Sequence, residues 1–129
     1  MEKDLKQLLL VDLSARVPYG VKCKVFDFET PYTLSGISPD SYEELYFTQL
    51  DFKESDGYAG VNFCKPYLFP MSSMTDEQEA ELIKFMAKDW HGMRYHTPDS
   101  IDLLNKNHFD YRCLIQKGLA IDCTNLNIY

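Results

Sequence analysis

The sequence predicts an α+β protein with an N-terminal helix, a small antiparallel sheet and C-terminal helices packed on that sheet. Three observations favour this class: leucines at helical spacing near the start, two-residue alternation of apolar and polar residues after them, and helix-capping signals after residue 74. A length of 129 residues is typical of one domain. We expect a sheet-rich part over residues 17–70 and a helical part over residues 75–118.

The first element is predicted to be a helix over residues 3–16. Its apolar stripe is formed by leucines at three- and four-residue spacing, and Pro18 ends it because the residue before a proline is displaced from the helical region. The next segment, 21–25, alternates strictly and predicts a strand with Val21, Cys23 and Val25 facing inward.

Three more strands are predicted, separated by turn residues. They are expected at 32–38, 44–52 and 59–64, each rich in aromatic or β-branched residues. Short antiparallel strands at this spacing are typical of a strongly bent sheet, for which an SH3-like open barrel is one candidate form.

The segment from Lys65 to Gln78 is predicted to join the two parts. Pro66 and Pro70 each lack a backbone donor, which argues against a helix or a central strand here. The apolar residues between them indicate that the segment lies over the core. Thr75 and Gln78 then have the spacing of a capping box, which predicts the start of a helix.

The helical part is expected to contain three helices. The first runs from 76 to about 89, and the second begins at Thr97 and Pro98. The third, over 111–117, is capped by Asp110 and closed by Gly118, and a final strand over 119–123 joins the sheet edge. The core-facing residues of the first helix are predicted to be Leu82, Ile83, Phe85, Met86 and Trp90.

Composition excludes several functional classes. The net charge of −7 argues against a general nucleic-acid binder, which needs a basic face. No apolar run approaches the length that spans a bilayer, and the first residues lack the pattern of a signal peptide, so we expect a cytoplasmic protein without membrane association. The four cysteines form no C-x-x-C pair, and buried thiols are the expected state, with a disulfide framework or a zinc site as alternatives.

Known catalytic motifs are absent from the sequence. It contains no phosphate-binding glycine loop and no nucleophile elbow, and we assign no catalytic residue, no cofactor and no metal. His91, His96, His108 and Cys113 are the residue types of a zinc site, but His91 and His96 are five residues apart and do not share a helical face. A Cys113–His108 nucleophile pair has the same spacing problem, so enzymatic activity is not favoured.

Two candidate binding sites remain. His108, Asp110, Tyr111 and Arg112 could bind a carboxylate or phosphate, although an Asp110–Arg112 salt bridge is the structural alternative. An aromatic strand face could bind a protein partner, as SH3-like folds do, although such residues are often core. That face contains Tyr42, Tyr46, Phe47, Tyr58 and Phe63, of which the first four are the predicted partner-binding residues. The acidic segment 40–56 is a second candidate surface.

Three runs of sequence resemble a family of small uncharacterised proteins encoded by phages, prophages and mobile elements of gut anaerobic bacteria. They are LSARVPYGVK at 13–22, KPYLFPMSSMT at 65–75 and HFDYRCLIQKGLAI at 108–121. The resemblance implies a mobile-element context and no reaction. Where it leads us to expect a glycine, after Arg112, this chain has Cys113.

Together these observations predict a non-enzymatic accessory protein that binds a protein partner. The alternative is a small-ligand or nucleotide-binding protein, or an enzyme, with a cleft centred on Arg112. A protein that mimics DNA by its acidic surface is a third hypothesis, but it calls for denser acidic spacing than this sequence has.

Overall fold

The computed structural model describes residues 2–38, 44–48 and 57–129, and it confirms the α+β class. The SH3-like form of the sheet stays a prediction. The helices are α1 (Lys3–Arg16), α2 (Asp76–Phe85) and α3 (Pro98–Lys106). The strands are β1 (Lys22–Val25), β2 (Tyr32–Ile37), β3 (Glu44–Thr48), β4 (Tyr58–Gly60), β5 (Cys64–Pro70), β6 (Ala87–Lys88), β7 (Arg94–Tyr95), β8 (Phe109–Asp110) and β9 (Ile121–Asp122).

The main sheet contains seven of these strands. Hydrogen-bonded neighbours follow the order β4-β3-β2-β1-β5-β8, and β9 also pairs with β5. The first four pairings in this order are antiparallel, whereas β8 and β9 run parallel to β5. Strands β6 and β7 form a separate antiparallel hairpin.

The N-terminal helix forms where the leucine spacing predicts it. Leu9, Leu10 and Leu13 are buried on its inner face. The helix ends at Arg16 and continues as one 3-10 turn, Val17–Tyr19, because Pro18 fits the start of a new turn but not the interior of the helix. Gly20 then takes φ +70°, a left-handed conformation that glycine adopts without strain.

The strands up to β3 agree with the alternation in the sequence. Val21, Cys23 and Val25 are fully buried, as predicted. Strand β3 ends at Thr48, and the rest of the expected strand, to residue 52, lies outside the described residues. The expected strand at 59–64 is wrong in part: β4 ends at Gly60, and a 3-10 turn over Val61–Phe63 leads into β5.

The proline-containing segment is a strand in the middle of the sheet, which corrects the prediction that Pro66 and Pro70 exclude one. Pro66 is paired with Cys23 of β1, and the parallel pairing with β9 covers only Tyr67 and Leu68. Along a strand, the backbone groups of alternate residues point to the same edge, so those of Pro66, Leu68 and Pro70 share one edge. That edge faces β9, because the Leu68 carbonyl accepts a hydrogen bond from the amide of Cys123, the residue after β9. Both prolines lie beyond that short ladder, so neither position needs a donor.

Strand β5 takes part in both hydrophobic clusters of the described residues. Leu68 packs with α1, β1–β4 and the segment after β8, while Phe69 packs against Leu82 of α2 and Leu104 of α3. The segment therefore joins the front and back of the molecule, as the sequence predicts, but it does so as a strand within the core. Tyr67 and Leu68 are buried.

The back of the molecule is not purely helical, which is a second correction. Thr75 and Gln78 form the expected capping box, but α2 ends at Phe85, and β6 follows where the sequence predicts helix to about residue 89. Strand β7 lies between the first two predicted helices, where no element is predicted. Leu82 is buried as expected, whereas Phe85 is 43% exposed and Trp90 is 89% exposed. The assignment of these two residues to the core is wrong.

The segment after β8 consists of turns rather than the predicted helix 111–117. Its closing hydrogen bonds are nevertheless those of a Schellman motif: the amide of Leu119 donates to the Leu114 carbonyl, and the amide of Gly118 donates to the Ile115 carbonyl. Gly118 has φ +74°. The expected final strand is confirmed as β9, but it pairs with the central strand β5 rather than with an edge.

Across the described ranges, no helix is long and apolar enough to cross a membrane.

Candidate functional site

The predicted ligand-binding segment begins directly after α3 and contains β8. The turn that starts it is tight, because His108 takes φ +63°, in the left-handed region. The His108 carbonyl accepts from the amide of Phe69, which aligns β8 with β5. The four predicted site residues are thereby placed between α1, α3 and the central strand, but they do not converge on one cleft.

Asp110 acts as a backbone cap. Its Oδ1 accepts from the amide of Leu114 and its Oδ2 accepts from the amide of Ile115, each at 2.9 Å. The side chain is buried. Both carboxylate oxygens therefore already stabilise the turns that follow, and Asp110 contributes to order in the segment.

Arg112 forms its salt bridge with Asp12 of α1 rather than with Asp110. Its Nη1 lies 3.2 Å from Asp12 Oδ1, and the arginine side chain is 27% exposed. Asp12 also accepts from Arg16, with 2.7 Å from Nε to Oδ2 and 3.2 Å from Nη2 to Oδ1. Asp12 and Arg16 are fully buried, so one buried carboxylate is shared by a buried and a partly exposed guanidinium group.

The same network fixes the position of Tyr111. The guanidinium carbons of Arg16 and Arg112 lie 5.1 Å and 4.9 Å from the centre of its ring, within cation–π range. The tyrosine hydroxyl donates to Asn105 Oδ1 at 2.9 Å. Arg16 Nη2 donates to the Phe109 carbonyl at 2.7 Å, so this cluster links α1, α3 and β8.

His108 lines a cleft of about 480 Å³ between β5, the start of α2 and the end of α3. Its ring stacks on Tyr129 at 3.6 Å between ring centres. Burial, and then the charges of Arg16 and Lys22, lower the pKa of His108 to about 4, so the imidazole is neutral at pH 7. Its Nδ1 is buried without a hydrogen-bond partner among the described residues.

Tyr129 holds that imidazole in place. Its hydroxyl accepts from the amide of Lys22 at 2.9 Å and donates to the Tyr67 carbonyl at 2.8 Å, so it bridges β1 and β5. Burial raises the pKa of Tyr129, and the hydroxyl therefore stays protonated and able to donate.

The predicted partner-binding face keeps fewer exposed residues in the structure than the sequence predicts. Tyr46 and Tyr58 lie side by side on β3 and β4, with ring centres 5.8 Å apart, and Tyr46 is 38% exposed. Phe47 is 5% exposed and packs in the main core, because consecutive residues of a strand point to opposite faces. Phe47 is therefore removed from this surface. Tyr42 lies outside the described residues, and so do residues 40–43 and 49–56 of the acidic segment.

An exposed aromatic hairpin, formed by β6, the loop over 89–93 and β7, is the site that sequence reasoning missed. Asp89 Oδ1 accepts from the amides of His91 and Met93, both at 2.9 Å, and Gly92 takes φ +82°. The side chains on and beside it are largely in solvent: Trp90 is 89% exposed, Met93 67%, Tyr95 52% and Phe85 43%. Asp89 and Gly92 flanking Trp-His are a turn signal that could have identified the hairpin.

The cysteines are free thiols, and the structure places three of them in the interior. Burial raises the pKa of Cys64 to about 12 and that of Cys123 to about 11, and it raises the pKa of Cys23 well above its usual value. The expectation that all four are buried is wrong for Cys113, which is exposed and has φ +60°.

Metal-ligand groups do not converge in the part of the chain that the structure describes: no three His, Cys, Asp or Glu side chains are placed to hold an ion.

Comparison with known proteins adds no relative. Searches with family models, against curated protein sequences and against solved structures give no match to this chain.

Proposed function

We propose that this protein is a non-enzymatic interaction protein that binds a protein partner through the exposed aromatic hairpin. The observation that carries the proposal is Trp90, a tryptophan 89% exposed at a tight loop. Tryptophan is among the residues most enriched at the energetic centres of protein interfaces, because it buries a large apolar area with few rotatable bonds.

The apolar surface at the hairpin is contiguous in sequence and is shaped before binding. Trp90 and Met93 belong to the loop, Tyr95 belongs to β7, and the loop is closed by the two hydrogen bonds to Asp89. A loop fixed in this way loses little conformational entropy on binding, which favours its use as an anchor.

Charge indicates the kind of partner surface. Residues 84–96 contain three basic side chains, Lys84, Lys88 and Arg94, and one carboxylate, Asp89, in a chain of net charge −7. Lys88 and Arg94 are paired across the hairpin. A partner with an apolar pocket and a rim of carboxylates would complement this surface.

The predicted cleft centred on Arg112 receives less support. Arg112 contacts Asp12, and both oxygens of Asp110 accept backbone amides. A ligand would have to displace these interactions. The second candidate function, binding of a small polar ligand, is favoured instead at the His108 cleft, where about 480 Å³ of space lies beside a neutral imidazole.

The biological context of the proposed partner comes from the resemblance to proteins of phages and mobile elements. A host-directed or replication-associated partner in an anaerobic gut bacterium fits that context, and a cytoplasmic site of action fits it too.

The test is affinity capture from nuclease-treated lysate of such a bacterium with the wild type, Trp90→Ala and Leu126→Ala. Leu126 is 50% exposed outside the hairpin and is the matched control. We expect Trp90→Ala to lower recovery of a captured protein about tenfold or more, since interface tryptophans carry large shares of binding energy. Equal recovery by Trp90→Ala and the wild type, at equal stability, would contradict the proposal.

A further inference from the structure

A second cleft, of about 500 Å³, opens where β1 ends and β5 begins, and the proposed function does not use it. It combines aromatic rings with positive charge. The residues that line it include Lys24, Phe26, Asp27, Asn62, Phe63 and Lys65.

The aromatic wall of this cleft is partly exposed and is positioned by backbone structure. The rings of Phe26 and Phe63 lie 5.2 Å apart, and the two residues are 41% and 57% exposed. The Phe26 amide donates to the Phe63 carbonyl at 2.8 Å. Phe26 also takes φ +52°, a conformation that residues with side chains seldom adopt and that is concentrated at functional sites.

The sheet register places two lysines side by side at this cleft. Lys24 and Lys65 are direct partners across the antiparallel β1–β5 pair, an arrangement in which like charges repel. Within the described residues, neither lysine has an ion pair. Asp27 is the carboxylate that lines the cleft, so two positive charges meet one negative charge there. An anion between the lysines would relieve the repulsion.

We propose that this cleft binds an acidic polypeptide segment that carries an aromatic or large aliphatic side chain. The apolar side chain packs on the rings of Phe26 and Phe63, and a neighbouring carboxylate lies between Lys24 and Lys65. A nucleic-acid backbone is disfavoured because it calls for an extended basic face, whereas the lining of this cleft includes two lysines. The site goes beyond the proposed function, since it shares no residue with the exposed aromatic hairpin.

The experiment is selection of a random peptide library on the immobilised protein, followed by fluorescence anisotropy with the enriched peptides. We expect enrichment of peptides that combine aspartate or glutamate with an aromatic or large aliphatic residue. Phe63→Ala is expected to weaken their binding about tenfold, as for a central apolar contact. Replacing both Lys24 and Lys65 by glutamine is expected to weaken the binding of the acidic peptides about tenfold as well. The same double replacement is expected to leave unchanged the affinity for peptides in which the acids are replaced by amides.

Variants at the hairpin are the matched controls. Lys84→Gln combined with Lys88→Gln removes the same two charges and Phe85→Ala removes the same ring, and both variants are expected to leave the affinity unchanged. Trp90→Ala is also expected to leave the affinity for the enriched peptides unchanged. The two proposals can therefore fail independently, because Trp90→Ala tests the hairpin and Phe63→Ala tests this cleft. The variant with both Lys24→Gln and Lys65→Gln is expected to fold, because removing two opposed like charges should keep or raise the Tm. A loss of binding by this variant can therefore be separated from misfolding.

The proposal is overturned by any of three results. The library gives no enrichment or enriches basic or uncharged peptides; the enriched peptides bind Phe63→Ala and the variant with both Lys24→Gln and Lys65→Gln as tightly as the wild type; or Phe63→Ala abolishes a self-association of the wild type, which assigns the surface to a second copy of this chain.

Discussion

Removal of Asp12 is expected to be the most damaging single change in the charge network around α1. Asp12 and Arg16 are fully buried, and Asp12 accepts two hydrogen bonds from Arg16 and one from Arg112. Asp12→Ala would leave the Arg16 guanidinium buried, with the Phe109 carbonyl as its remaining acceptor among the described residues. Breaking a buried ion pair in this way costs about 3–5 kcal/mol.

Arg112→Ala is expected to cost less, because the arginine side chain is 27% exposed and has one bond to Asp12 at 3.2 Å. A partly exposed pair contributes at most about 1 kcal/mol, and the contact with the Tyr111 ring adds roughly 0.5–1 kcal/mol. We therefore expect a total loss of about 1–2 kcal/mol for Arg112→Ala.

Urea denaturation followed by circular dichroism measures both values, with Arg112→Lys as a control that keeps the charge. A third variant, Asp12→Leu combined with Arg16→Met, is expected to recover much of the loss of Asp12→Ala, since a packed apolar pair can replace a buried salt bridge at little cost. The reasoning is refuted if Asp12→Ala costs less than about 1 kcal/mol, or if Arg112→Ala costs as much as Asp12→Ala.

The remaining predictions concern pH, backbone strain and thiol reactivity. The pKa of His108 is about 4 in the folded protein against 6.5 as its ordinary value, so its contribution to stability is full above pH 6.5 and is lost as the pH falls towards 4. The free energy of unfolding of the wild type should therefore fall relative to that of His108→Gln over that range, and a constant difference between the two would contradict the prediction. Cys113→Gly should raise the free energy of unfolding by about 0.5–1 kcal/mol, because glycine adopts φ +60° without strain, and an equal or lower stability would argue against this. With a thiol reagent such as Ellman's, Cys113 should react rapidly in the folded protein while the three buried thiols react on unfolding; rapid reaction of more than one thiol would disprove the placement.

Much of the fold could be predicted because local signals and tertiary structure agree. The leucine spacing of α1, the alternation in β1, and the capping hydroxyls of Thr75 and Thr97 each act within one element, so the sequence carries them directly. The capping box at Thr97, completed by Ser100, forms as the Thr97–Pro98 signal indicates.

The central strand β5 could not be predicted from local rules. A proline is excluded from a strand only where its missing donor faces a paired neighbour, and that depends on which short strands pair alongside it. The partners, β8 and β9, come from segments about forty and fifty residues later in the chain. Sequence rules that judge the segment alone therefore rejected a strand that the register permits.

The candidate site was predicted less well, for a different reason. The sequence gives the residue types from His108 to Arg112, but the partner of Arg112 is Asp12, a hundred residues earlier in the chain. Trp90 is predicted to face the core because it follows the apolar face of a helix expected over 76 to about 89. The helix ends before it, at Phe85, so the periodicity that supported burial does not reach Trp90.

The central claim, that the exposed aromatic hairpin anchors a partner, is tested most directly by the fluorescence of Trp90. Trp90 is the one tryptophan in the sequence, so the emission reports on this position alone. In the free protein we expect emission typical of an indole in water and strong quenching by acrylamide. Titration with a purified captured partner, after subtraction of the emission of the partner alone, should shift the emission to shorter wavelength and reduce the quenching. An unchanged spectrum when the partner is bound at saturation would contradict the account.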